Sequence, residues 1–193
     1  MSGGIRLPAS MMPDIPTIET ARLVLRGHRD ADFDAHCAFW ADPDVVRFIG
    51  GRTFSREESW VRFLRHAGMW ARMGFGFWAV TDRASGRFLG EAGFHDLKRA
   101  VSPSLEGTME AGWAILPDVH GRGLGSEVVA AIVGWAAANH AGRRLTCLID
   151  PGNLPSIRLA RKHGFRTFAE TTYHGAPTVL FERWAGEGPP AVF

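Results

Sequence analysis

The residues whose types and spacing suggest chemistry form a glycine-rich turn between a predicted strand and a predicted helix. The turn reads His120-Gly-Arg-Gly-Leu-Gly125. Glycines let the backbone approach a ligand closely, and a helix N-terminus carries a partial positive charge. The turn therefore predicts an anion site suited to a pyrophosphate, although an ordinary tight turn between a strand and a helix would have the same pattern.

Two common phosphate-binding loops do not fit this turn. A Walker loop requires Gly-Lys followed by Ser or Thr, and the sequence contains no Gly-Lys pair. A dinucleotide fingerprint requires glycine where Ser126 stands and is normally part of a strand-helix-strand unit. The late position of the turn and the hairpins predicted before it do not favour such a unit.

The turn resembles the acyl-CoA loop of the GNAT superfamily of N-acetyltransferases. That loop reads Gln or Arg, two variable residues, Gly, one variable residue, then Gly or Ala. Gly123 and Gly125 match it, whereas His120 replaces its usual first residue. This departure affects only a side-chain contact, because the family binds phosphate chiefly through backbone amides.

Two further segments extend the resemblance to most of the chain. Residues 153–165 match the family's later segment of Asn, Ser, a short helix and Gly-Phe. Residues 18–26 and 42–50 are similar to the branch that contains the ribosomal-protein N-terminal acetyltransferases. The resemblance thus covers residues 18–184, and we expect a flexible arm at 1–17 and a flexible tail at 185–193.

The resemblance implies one α/β (α+β) domain with a mixed, mostly antiparallel sheet flanked by helices. The sheet should splay open between the strand that begins near Thr108 and the strand that begins at Arg144, with the pantetheine arm of acetyl-CoA in the gap. The cofactor-binding residues implied are Ile115, Leu116, Pro117, Arg122, Gly123, Leu124, Gly125, Ser126, Asn153, Ser156 and Lys162. Arg158 and Arg161 are further candidates for the adenosine phosphates, and each of these basic residues is otherwise a solvated surface charge.

Acetyl transfer to an amine needs a proton acceptor, and Glu110 is the first candidate for this base. It lies on the strand that leads into the glycine turn, where related N-terminal acetyltransferases carry a glutamate. Glu91 and Glu106 are competing candidates. His95 is a candidate for contact with the acceptor, although a single histidine on a strand is more often structural.

The acid that protonates the departing thiolate is less evident. Many members of the family place a tyrosine in the short helix just after its leucine, but here Leu159 is followed by Ala160. Ser156 is the candidate that replaces it, with cofactor binding or helix capping as its alternative roles. The only tyrosine in the chain, Tyr173, is expected to be structural.

Composition limits the other classes of function. The chain has 193 residues, of which 46% are hydrophobic, and a net charge of +2, so we expect one core and no nucleic-acid partner. Cys37 and Cys147 have no His or Cys at metal-ligand spacing, which predicts a reducing compartment and no metal site. No apolar run reaches the ~20 residues of a membrane span, so we expect a cytoplasmic monomer or homodimer.

Three functions remain open at this point. The enzyme acetylates an α-amino group of a protein or peptide, or it acetylates a small amine such as an antibiotic, polyamine or amino-acid analogue. Alternatively, the chain is a regulatory domain that binds acyl-CoA without turnover. For an enzyme we expect direct attack of the amine on the thioester, because neither cysteine has an activating partner in the sequence.

Overall fold

The structure is a computed structural model that describes residues 14–188. Eight strands form one sheet, with five α-helices around it. The strands are β1 (Ile18–Glu19), β2 (Leu23–Arg26), β3 (Phe77–Asp82), β4 (Phe88–His95), β5 (Met109–Ile115), β6 (Arg144–Ile149), β7 (Arg166–Tyr173) and β8 (Ala176–Trp184). The helices are α1 (Phe33–Trp40), α2 (Pro43–Val46), α3 (Arg56–Met73), α4 (Leu124–Asn139) and α5 (Leu154–Lys162).

The sheet is antiparallel except at its centre, and it opens there. The strand order is β1-β2-β3-β4-β5-β6-β8-β7, and only β5 and β6 are parallel neighbours. These two strands pair at two positions, Met109 with Leu145 and Glu110 with Thr146, although both strands continue further. The sheet therefore splays apart beyond Glu110, which confirms the fold predicted from the sequence.

The helices cover opposite faces of this sheet. The inner face of α4 buries Val128, Val129 and Ile132 in the main core, together with Trp78 of β3. Phe39 of α1 packs in a second cluster with Ala79, the next residue along β3. Because successive side chains of a strand point to opposite faces, α1 and α4 lie on opposite sides.

Local signals set several of the element boundaries. The predicted capping box begins α3, since Ser55 Oγ accepts from the Glu58 amide at 3.2 Å and Glu58 Oε2 accepts from the Ser55 amide at 2.8 Å. β6 begins at Arg144, as predicted, and the short helix predicted within residues 153–165 is α5. Gly164 has φ of 84° just after α5, as expected for a glycine that ends a helix.

The packed structure extends beyond the predicted domain at both ends. Ile15 packs against the core, and the Pro16 carbonyl accepts from Trp78 Nε1 at 2.7 Å. At the other end Ala185 is buried, and its amide donates to the Arg143 carbonyl. The remainder of the predicted arm and tail, 1–13 and 189–193, lies outside the described residues.

Among residues 14–188, no helix combines the length and the apolar character that crossing a bilayer requires.

Candidate active site

The glycine turn has the backbone conformation that its sequence predicts. Gly121 and Gly123 have φ of 74° and 76°, in the left-handed region that costs other residues about 1–2 kcal/mol. Gly123 is the N-cap of α4, and the first amides of a helix have no partner within it. A side chain at Gly125 would lie 3.1 Å from Leu159 Cδ1, so this glycine allows α4 to approach α5 closely. The turn thus presents backbone donors beside the opening of the sheet.

Arg22, which directly precedes β2, supports the glycine turn by a hydrogen bond. Arg22 Nη1 donates to the Arg122 carbonyl at 2.7 Å, and Arg22 Nη2 lies 2.6 Å from Glu127 Oε2. Glu127 also accepts from Thr20 Oγ1 at 2.6 Å. Sequence reasoning did not find Arg22 or Glu127, because about a hundred residues separate them and only the fold brings them together.

The three predicted cofactor-binding residues at the end of β5 and directly after it differ in the direction of their backbone groups. The Leu116 amide donates to the Leu89 carbonyl at 2.8 Å, so this N–H faces β4 and not the gap. This amide is therefore not available to a cofactor in the gap, and the cofactor contact predicted for Leu116 stays a prediction for its other atoms. Neighbouring residues of an antiparallel strand direct their N–H and C=O groups to opposite sides. The N–H and C=O groups of Ile115 therefore face the gap. Pro117 has no amide hydrogen, and its carbonyl accepts from the His120 amide at 3.0 Å.

His120, the residue that departs from the family's loop, occupies the mouth of the gap. Its Nε2 lies 3.0 Å from the Ile115 carbonyl oxygen. A carbonyl oxygen has two lone pairs, so this contact leaves one for another donor. Leu124, which follows the turn, has its side chain buried in the core and can offer a cofactor only backbone atoms.

On the other side of the gap, α5 presents Asn153 and Ser156. Asn153 Oδ1 accepts from the Ser156 amide at 3.2 Å, so Asn153 caps the helix. Ser156 is half-buried, whereas Lys162 in the last turn is exposed, as is Arg122 in the glycine turn. Ser126 Oγ lies 3.0 Å from His163 Nε2 and thereby links α4 to the end of α5.

Glu110 lies at the closed end of the gap in a network of ionisable groups. It stands directly opposite His95 of β4, and His95 Nε2 lies 2.6 Å from Glu110 Oε1. Arg99 holds the same carboxylate, with Nε 2.7 Å from Oε2 and Nη2 2.8 Å from Oε1. Arg99 Nη1 also donates to the Tyr173 hydroxyl at 3.0 Å. Both carboxylate oxygens are therefore engaged.

These contacts set the protonation states of the pair. Burial alone would raise the pKa of Glu110, but the contacts with His95 and Arg99 outweigh burial and hold this pKa below its usual range. Burial lowers the pKa of His95, although Glu110 acts in the opposite direction. Near neutral pH an ionised Glu110 thus accepts a hydrogen bond from His95 Nε2–H, which leaves the lone pair of a neutral imidazole on Nδ1. Nδ1 of His95 thus offers a lone pair, whereas both oxygens of Glu110 already accept hydrogen bonds.

The two competing glutamates lie away from the gap. Glu106 is exposed in the loop before β5, with its carboxylate 3.2 Å from Lys98 Nζ. Glu91 is buried under α1 and α3, where His28, His36 and His66 place their Nε2 atoms 3.1, 3.2 and 3.1 Å from its Oε1. We name these four residues the His-Glu cluster. Sequence reasoning missed it, because its members come from four separate segments with no metal-ligand spacing.

Comparison with known proteins identifies the family. The family model of the acetyltransferase (GNAT) domain matches residues 22–166. A solved structure described as a GNAT-family acetyltransferase from Bordetella pertussis is 34% identical, with a TM-score of 0.79 over 87% of this chain and 99% of that one.

More distant structures share the fold. The ribosomal-protein-S5-alanine acetyltransferase from Vibrio fischeri is 16% identical, with a TM-score of 0.71 over 88% of this chain and 97% of that one. The spermidine N-acetyltransferase from Vibrio cholerae, solved with CoA and spermine, is 13% identical, with a TM-score of 0.67 over 86% of this chain and 97% of that one. With more than half of its length matched by the family model, the chain belongs to the GNAT superfamily of N-acetyltransferases.

Proposed function

We propose that the protein transfers the acetyl group of acetyl-CoA to a free α-amino group, first of all that of a peptide or protein. The observation that carries this proposal is the gap between β5 and β6, which opens at the glycine turn and closes at Glu110. An extended pantetheine arm has the shape of an added strand in such a gap. Its thioester would then lie toward the Glu110 end.

The cofactor would be held chiefly by backbone groups. The Ile115 peptide groups would pair with the pantetheine amides, and the amides from Gly121 to Ser126 would bind the pyrophosphate. Arg122 and Lys162, both exposed near the mouth, would add positive charge for the adenosine phosphates. The capping contact of Asn153 supports a role in shaping α5 beside the arm.

In the proposed reaction the amine nitrogen attacks the thioester carbonyl, a C–N bond forms, and the C–S bond breaks. His95 Nδ1 accepts the proton that the amine loses, while Glu110 fixes the tautomer and the orientation of His95. Ser156 donates its hydroxyl proton to the departing sulfur and regains one from solvent, and His95 returns the amine proton to solvent. No acyl-enzyme is formed on Cys147, because burial raises the pKa of this thiol well above its usual range.

The protonation states of the site favour an α-amine over a lysine side chain. A chain-terminal amine has a pKa near 8, against about 10.4 for lysine, so far more of it is neutral at pH 7. A His95 whose pKa is lowered is a weak base and suits an amine that is already partly neutral. Arg62, Arg65 and Arg99 lie close enough together to repel one another's charge, which disfavours a polyamine.

The second candidate acceptor is a small α-amine that carries a carboxylate, as amino acids do. Arg65 supports this second candidate. Its guanidinium is affected by the charges of Glu91 and Arg99, but none of the described carboxylates hydrogen-bonds to it. An acceptor carboxylate would complete such a pair near His95.

The test is a thiol-release assay with acetyl-CoA and a panel of acceptors, with the product located by mass spectrometry. The panel contains short peptides with free and with formylated N-termini, free amino acids, a lysine peptide with a blocked N-terminus, and spermine. We expect turnover with free α-amines, lost on formylation. Turnover confined to spermine or to blocked lysine peptides would refute the α-amine assignment, and tight CoA binding without any turnover would indicate a regulatory domain.

A further inference from the structure

The His-Glu cluster lies outside the proposed reaction, on the same face of β4 as His95 but under the helices. His28 comes from the loop after β2, His36 from α1, His66 from α3 and Glu91 from β4. The side chains of all four are at most 4% exposed. Buried polar groups in folded proteins normally have hydrogen-bond partners.

Hydrogen bonds among the four residues do not satisfy their polar atoms. Both ring nitrogens of His36, Nδ1 of His28 and of His66, and Oε2 of Glu91 are buried without a hydrogen-bond partner in residues 14–188. Three imidazole nitrogens face one carboxylate oxygen. His36 Nε2 lies 3.2 Å from this oxygen, but the angle of the contact is unsuitable for a hydrogen bond. Each buried polar atom without a partner destabilises the fold, because it has lost its hydrogen bonds to water without replacing them.

We propose that the His-Glu cluster binds a divalent transition-metal ion, with Zn²⁺ as the ion that fits its donors best. Three imidazole nitrogens and one carboxylate form a donor set of the kind that Zn²⁺ takes, whereas Mg²⁺ and Ca²⁺ prefer oxygen alone. The absence of local ligand spacing, from which the sequence predicted no metal, does not bear on ligands that the fold assembles. The site rests on none of the residues proposed for acetyl transfer.

The spacing of three of the four donor atoms is close to that around a tetrahedral ion, whereas His36 Nε2 lies outside the group of donors that are within 4.8 Å of one another. Bonds of 2.0–2.1 Å give ligand-to-ligand distances of about 3.3 Å in a tetrahedron. The three nitrogens lie 3.1–3.2 Å from Glu91 Oε1, and the donor atoms of His28, His66 and Glu91 lie within 4.8 Å of one another. A zinc ion would replace three competing contacts to one oxygen by four bonds.

The rings would have to adjust on binding. His28 and His66 are stacked, with centroids 4.0 Å apart and planes 2° apart, whereas His36 lies 6.1 and 5.8 Å from them. Ring centroids around a tetrahedral zinc are about 5 Å apart, so the stacked pair must open and His36 must move inward. Parallel rings cannot both aim their lone pairs at one ion, which makes this opening a requirement of the proposal.

The surrounding charges act in both directions. Glu91 neutralises one of the two charges of the ion, and Asp32 is near enough to His36 to favour a cation electrostatically. Arg62 is stacked on Trp40 at 3.6 Å and lies near Glu91, so its positive charge disfavours a bound cation. Because all four ligands are protein groups and the site is closed to solvent, the ion would be structural and would fix α1 and α3 on β4.

The experiment measures zinc directly in the full chain. After dialysis against a chelator and then buffer, the protein is titrated with Zn²⁺ by calorimetry, and Co²⁺ is added separately to look for the visible bands of tetrahedral coordination. We expect binding of one ion per chain, a rise in Tm with Zn²⁺, and binding more than about 100-fold weaker in Glu91→Gln and His66→Gln. His174→Ala, which removes an exposed histidine from the β7–β8 turn, is the control and should bind as the wild type does.

Each outcome decides the proposal. Wild-type protein that shows no tetrahedral Co²⁺ bands and no zinc-dependent change in Tm overturns it, whether or not the variants fold. Equal zinc binding by the wild type, Glu91→Gln and His66→Gln also overturns it, since the ion would then lie elsewhere. None of these readouts depends on turnover, so failure here is distinct from failure of the proposed acetyl transfer.

Discussion

Replacing Gly123 by alanine should weaken acetyl-CoA binding about 5- to 30-fold. The residue has φ of 76°, and this conformation costs an L-residue about 1–2 kcal/mol. A Cβ would meet only Arg22 Nη2 at 3.6 Å, an ordinary contact, so the effect is one of backbone strain and not of a clash. Because Gly121 and Gly123 are exposed, the free turn can relax, and the cofactor must then restore the strained form.

The assay is calorimetric titration with acetyl-CoA, together with urea unfolding of the same proteins. Gly86→Ala is the matched control, since Gly86 has φ of 73° and no atom within 4 Å of the added carbon, but lies in the turn between β3 and β4. Its backbone strain should appear in the free energy of unfolding alone, with unchanged acetyl-CoA affinity. Unchanged affinity in a folded Gly123→Ala protein would refute the assignment of this turn as the pyrophosphate site.

Three other variants test the supporting residues. Glu110→Gln should keep the acetyl-CoA affinity but lower kcat at neutral pH by about 10² or more, because His95 loses the carboxylate that fixes its tautomer; full turnover across pH would place the base elsewhere. Because the pKa of His95 is lowered, the wild-type kcat should fall at acid pH as His95 takes up a proton, and a profile that instead rises toward acid pH would contradict this role. Arg22→Ala should weaken acetyl-CoA binding several-fold. The control is Arg83→Ala, which also removes an ion pair and a hydrogen bond to a backbone carbonyl and should leave the affinity unchanged. Equal losses of affinity would mean that Arg22 does not support the turn. Cys147→Ala should retain turnover, and complete inactivation of the folded variant would point to a covalent intermediate.

Elements with strong local signals were predictable from the sequence. The capping box fixes the start of α3, and the glycines at 121 and 123 are needed because the turn has positive φ there. The helix predicted after the glycine turn is α4, and it begins at Leu124, inside the turn. The two-residue strand β1 was not predicted, because so short an edge strand has no periodicity to detect.

The contacts that define the site could not be predicted in the same way. Glu110 was identified from its place before the glycine turn, but its ion pair with Arg99 and its contact with His95 depend on the register of β4 and β5. That register supports the proposal that Glu110 orients His95, while the role of Glu110 as the base stays a prediction from the sequence. The His-Glu cluster likewise joins positions 28, 36, 66 and 91, and no local pattern links them.

The most direct test of the proposed site is a crystal structure of the protein with acetyl-CoA. We expect the pantetheine arm between β5 and β6, hydrogen-bonded to the Ile115 peptide groups, with the pyrophosphate on the amides from Gly121 to Ser126. The thioester should lie at the end of the gap near Glu110 and His95. A cofactor bound elsewhere on the fold, with this gap empty, would contradict the account.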